Sequence, residues 1–177
     1  MRVLRLSMQF AAFIMLIILL ACAKTSTKSY AAWKDEAYQG HPEKILVINA
    51  VKNHTVRKLY EDELVKALKD RRIDAVVSYT IMPDPIVSDK KTFVAQAYAV
   101  GADTVLISTP LGSRKGEAST YLDVYINMQT DVFDMKLNRL VLSTTTETWI
   151  QQETPYATLI ESYIKDLVQR LSKQGLF

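Results

Sequence analysis

The chain has 177 residues, 22 Lys and Arg against 19 Asp and Glu, two histidines and one cysteine, a length that suits one domain with an adequate core and is cramped for two. The lone cysteine excludes a disulfide framework, and with two histidines it cannot assemble the usual zinc sets. The formal charge of +3 includes Arg2 and Arg5 at the amino end, so the remainder is nearly neutral; no dense Lys/Arg stripe interleaved with aromatics is present, and nucleic acid is not an expected partner.

Arg2 and Arg5 are followed by an apolar stretch over 10–20, which closes as Leu19-Leu20-Ala21-Cys22. A positive end, an apolar middle of about 11 residues and a small residue at the cut describe a leader over 1–21, too short to span a bilayer comfortably. A general secretory leader ends in an A-x-A-like site. This one ends in Leu-x-Ala-Cys and resembles the lipobox of bacterial lipoproteins. The resemblance implies that Cys22 becomes the mature amino terminus and carries acyl chains such as palmitate, holding the body at a membrane surface in water. Several chains on one residue anchor firmly where a single chain binds only marginally. In the same family an aspartate after the cysteine favours inner-membrane retention. Position 23 is Ala, which implies the periplasmic face of the outer membrane in a source with two membranes.

Residues 22–43 show no sustained period and read as a tether, with Trp33 and Tyr38 either folding back on the domain or contacting headgroups or a partner. A single domain follows over 44–177. Lys44-Ile-Leu-Val-Ile-Asn-Ala-Val51 is a β-branched-rich run, the signature of a strand buried on both faces. Over 57–71, Leu59, Leu64, Val65 and Leu68 share one helical face, with Glu61, Asp62, Lys66 and Lys69 elsewhere on the helix. A strand over 75–82 is broken by Pro83-Asp84-Pro85. Ser88 or Asp89 can cap a helix carrying Phe93, Val94, Ala97 and Val100 and ended by Gly101. A short buried strand over 103–108 is closed by Pro110, and Gly112-Ser113-Arg114-Lys115-Gly116 reads as a mobile hairpin or strand connection. That run has glycines and cations but neither P-loop spacing nor a helix behind it, and no cofactor is expected.

In 121–132 the apolar set Leu122, Val124, Ile126 and Met128 alternates with polar residues, so one face is wet and presents Tyr121, Asp123, Tyr125 and Asn127 in a row. This row is the candidate protein-contact surface. A turn over 134–139 leads to a threonine-rich antiparallel strand over 140–150. Thr154-Pro155 then precedes a helix with Leu159, Ile160, Tyr163, Ile164, Leu167, Val168 and Leu171 on one side. The expected fold is thus α/β in the order β-α-β-α-β-β-β-α, parallel in its first half and antiparallel in its second, in two or three layers.

Two uses of this fold stay open. His41 lies in the expected tether, so the acid-base and thiol constellations of an enzyme cannot be assembled, and the chain is not expected to be one. The element order, with Ser78-Tyr79 ending the second strand, Gly101-Ala102-Asp103 ending the second helix and a late strand pair before a long final helix, resembles the small α/β domain of bacterial envelope lipoproteins: the curli-secretion lipoprotein, the lipoprotein activators of penicillin-binding proteins and the amino-terminal domain of the Tol-system propeller protein. What this implies is a non-catalytic interaction or assembly accessory of the cell envelope, whose partners are the membrane, through Cys22, and other envelope proteins or its own copies. The alternative is a small-ligand binder or enzyme with a site at Asn53, His54, Ser78 and Tyr79, beyond the carboxyl ends of the parallel strands, where open α/β sheets place ligands.

Overall fold

A mixed six-stranded sheet organises the chain. The computed structural model describes residues 26–83, 90–115, 123–151 and 154–177. Cys22, Tyr121 and the acids Asp84 and Asp89 lie outside them, and of Asp123 only the backbone is described. In chain order the elements are β1 (Ser26–Lys34), β2 (Lys44–Asn49), α1 (His54–Lys69), β3 (Asp74–Val77), α2 (Lys90–Ala99), β4 (Thr104–Lys115), β5 (Asp123–Asp134), β6 (Arg139–Gln151) and α3 (Tyr156–Lys173). The strand order is β1-β6-β5-β4-β2-β3. β2 pairs parallel with β3 and β4, whereas β4-β5 and β5-β6 are antiparallel, which is the division the sequence predicts; β6-β1, also antiparallel, is an addition to it.

β2 lies between two strands, so both its faces meet helices, and Ile45, Leu46, Val47 and Ile48 are all fully buried. Ile45 and Val47 join the larger core with Leu64 and Leu68 of α1, Leu106 of β4 and the apolar stripe of α3. Leu46 and Ile48 join a smaller core on the other face with Ala97 of α2, Val105 and Met135. The result is three layers, α1 and α3 on one face and α2 on the other. Asn53 caps α1, its Oδ1 accepting from Val56 N at 3.1 Å. Gly101, at φ 70°, ends the turn after α2 in the left-handed conformation its missing Cβ permits.

Four expectations need correction. Residues 26–34, read as tether, form edge strand β1, paired with β6 from Ser26 opposite Trp149 to Lys34 opposite Leu142 with a register shift between Ser29 and Ala31. Only Thr27 and Lys34 are even partly buried, so this strand is held through its backbone ladder and carries none of the apolar alternation that marks a packed one. The chain then folds back: Asp35 pairs with Arg139 at 2.9 Å, and Tyr38 is 2% exposed, in the larger core. A Cβ on Gly40 would sit 2.7 Å from the Tyr38 ring, so glycine is what lets this return pass. Trp33, by contrast, stays half exposed.

β4 does not stop at Pro110. Its pairing with β2 ends at Ser108, so beyond that point only β5 lies beside it, and a bulge between Pro110 and Gly112 carries the strand on to Lys115. A proline without an N–H is tolerated there. β3 is shorter than expected: the Ser78 amide is shared between the Val47 carbonyl of β2 and the carboxylate of Glu61, and the Tyr79 amide turns to that carboxylate. Glu61 itself, placed off the apolar face of α1, is nonetheless fully buried. The buried stripe is Tyr60, Leu64 and Leu68, with Leu59 and Val65 only partly covered.

Three buried tyrosines set an alkaline limit on this core. Burial, with the Asp134 carboxylate adding to it, pushes the Tyr38 hydroxyl up to about 12; burial raises Tyr60 well above its ordinary value and raises Tyr163 too. The unfolded chain ionises near pH 10, so their stabilisation is complete below that pH and is lost as pH rises toward about 12. Denaturation midpoints at about pH 9 and about pH 11.5 should fall steeply, and less so in Tyr38→Phe; equal slopes in both proteins would refute the assignment to Tyr38.

Candidate functional site

The carboxyl ends of β2 and β3 meet the first turns of α1, and two arrangements form there. The first is a buried ion pair. Arg57 and Glu61, one turn apart on α1, join at 2.9 Å with 1% and 0% exposure. Oε1 of Glu61 also accepts from Asn49 N at 3.0 Å and Ser78 Oγ at 2.9 Å, and Oε2 accepts from Ser78 N at 2.7 Å and Tyr79 N at 3.0 Å. Arg57 spends its remaining donors on Ser78 Oγ at 2.8 Å and the Pro83 carbonyl at 2.9 Å. Every oxygen of the carboxylate is occupied by the chain, so the cluster ties both strand ends to the helix and offers nothing to a substrate.

Of the four residues of the ligand-site alternative, Ser78 belongs to that cluster. The Tyr79 hydroxyl donates to Asp62 at 2.7 Å and accepts from Lys58 at 3.1 Å. His54 is exposed and stands edge-on to the Tyr79 ring, 6.3 Å between centroids. The structure thus brings His54 and Tyr79 together on the surface, with Asp62 and Lys58 on the Tyr79 hydroxyl. Asn53 lines a cleft that the other three do not line.

That cavity is the second arrangement, a cleft of about 410 Å³ on the α1/α3 face of the sheet. Ile126 and Met128 of β5 and Thr148 of β6 form its floor. Val56 and Tyr60 of α1 make one wall, and Leu159, Ile160 and Tyr163 of α3 the other. The two tyrosine rings lie 6.0 Å apart. Their hydroxyls are already engaged, Tyr60 donating to Ser108 Oγ at 2.8 Å and Tyr163 lying 3.3 Å from Thr146 Oγ1. Asn49, at the end of β2, also lines the cleft, and its Oδ1 is buried without a hydrogen-bond partner among the described residues. The sequence carries one hint of this site, a polar residue closing an otherwise apolar buried strand.

The opposite face of β5, β6 and β1 lies beyond α2. Tyr125, from the expected contact row, sits there under the Arg114 guanidinium, 4.0 Å from its ring centroid. Arg114, read as part of a loop tip, is instead a strand residue gripping Glu147 with two nitrogens at 3.1 Å each. The Tyr30 hydroxyl donates to the same carboxylate, and this bond, with help from Arg114, holds Glu147 below its ordinary range. Farther along, Asp131 accepts from Ser143 at 2.6 Å and Gln129 at 2.9 Å.

No family model matches the sequence, and no match among curated proteins was found. Solved structures share its fold. PelC from Paraburkholderia phytofirmans, solved as a dodecamer, superposes with a TM-score of 0.53 over 82% of this chain and 95% of PelC, at 13% identity. Lipoprotein GNA1162 from Neisseria meningitidis superposes with a TM-score of 0.51 over 75% of this chain and 99% of its own, at 12% identity. At such identities the likeness is one of fold.

Proposed function

We propose that this protein is a lipid-anchored lipoprotein of the bacterial cell envelope, on the periplasmic face of the outer membrane, and that its domain is a non-catalytic assembly module. The observation that carries this reading is the fold, common to a named lipoprotein and to a protein that forms dodecamers. The leader ending in Cys22 supplies the anchor, and Ala23 after it favours the outer membrane. The sheet face around Tyr125, with Tyr121 and Asp123 just before it in the chain, supplies a surface for further copies or other envelope proteins. Aromatic and arginine side chains in contact suit such a surface.

Cys22→Ser is expected to remove the lipid mass from the amino-terminal peptide and to release the protein from the membrane fraction. Retention of lipid and membrane location together would sink the anchor. Light scattering on the solubilised native protein should give a multiple of the chain mass, and Tyr125→Asp should lower it. A monomer at every concentration, with no envelope protein co-purifying, would end the assembly reading.

A further inference from the structure

The cleft between α1 and α3 has no part in assembly through the opposite sheet face, yet it has the marks of a binding site. Its volume, about 410 Å³, falls within the range of roughly 300–1,000 Å³ for small-molecule pockets. Among the described residues its lining contains no charged side chain, so an ionic ligand would lose its hydration with nothing in exchange from them, which favours a neutral occupant. Its surfaces are largely aliphatic and aromatic. Against them stands Asn49, 2% exposed, with Oδ1 unpartnered. The backbone amide of Asn49 is fixed to Glu61 at 3.0 Å, which locks the strand end that presents the side chain. A buried acceptor that finds no partner among the described residues is a standing cost to the fold, and a ligand that donates a hydrogen bond removes it.

We propose that this cleft binds a neutral amphiphile, its apolar body against Ile126, Met128, Val56 and Leu159 and one hydroxyl or amide N–H donating to Oδ1 of Asn49. The site is built from cleft residues alone and stands whether or not Cys22 carries lipid. The test uses the full chain in phospholipid nanodiscs with isotope-labelled methionine methyls, following Met128 on the cleft floor. Titration with 1-octanol should shift that resonance saturably. Octyl methyl ether, which has the same body without the donor, should bind at least about tenfold more weakly. Asn49→Leu should erase the difference between the two probes without lowering the melting temperature, since it removes the unpaired oxygen. Val56→Trp, which fills the cleft from its wall, should abolish the shift with either probe. Absence of a saturable shift, equal affinity for alcohol and ether in the unmodified protein, or a preference that survives Asn49→Leu would each overturn the proposal.

Discussion

Glu61→Gln is expected to cost about 3–5 kcal/mol of folding stability, a large fraction of the roughly 5–15 kcal/mol that a domain of this kind has. The side chain keeps its shape, so no cavity opens. The loss is electrostatic: Arg57 stays buried with its counter-charge gone, and the amide nitrogen placed in the site is a second donor facing Ser78, Tyr79 and Asn49 where an acceptor is needed. Urea denaturation at neutral pH measures it. A loss below about 1 kcal/mol would mean that the cluster relaxes or hydrates, and the description of it as dry would be wrong. Replacing both partners, as in Arg57→Met with Glu61→Leu, should recover part of the loss, since neither charge is then left unpaired.

Leu64→Ala is the second large change, at about 2–5 kcal/mol. Leu64 is fully buried where α1 meets both the sheet and the α3 stripe, in the core that also holds Leu106, Leu142 and Leu167. Tightly packed elements on every side leave little room for collapse into the void, which places the expected cost toward the upper half of that range. Phe93→Ala on the α2 face should cost less, because Phe93 is only partly buried against the smaller core. An equal loss at both positions, by denaturant midpoints, would contradict the division of the interior into a deep and a shallow half.

What could be read from the sequence is whatever burial writes into residue type. The run Ile45 to Ile48 is legible because β2 is packed on both faces, and the α3 stripe is legible because one side of that helix is apolar along its length. β1 was not legible. An edge strand with both faces largely in water has no reason to alternate, and its polar composition is the same as that of a linker. Glu61 was misplaced because apolar patterning sets acids off the buried face. The signal that could have found it is Arg57 one turn earlier, a spacing that allows an ion pair but does not say whether the pair is wet or dry. The four residues of the ligand-site alternative are dispersed for a related reason. Topology points to the ends of the parallel strands, but whether Ser78 and Asn49 face helix, cleft or water depends on how α1 and α3 close over them, which no local pattern encodes.

The pairing of β1 with β6 shortens the leash. Ser26 is only four residues beyond Cys22, at most about 14 Å of fully extended chain, where a tether lasting to residue 43 would have let the body roam. Thr27 lies 2.9 Å, hydroxyl to hydroxyl, from Thr148 on the cleft floor, so the amino end of β1 and the cleft share one end of the sheet. With Cys22 fixed in a leaflet as proposed, the domain keeps that end toward the headgroups. An amphiphile then reaches the cleft by lateral diffusion in two dimensions, without an excursion through water, and its concentration in the lipid rather than in the surrounding fluid governs occupancy.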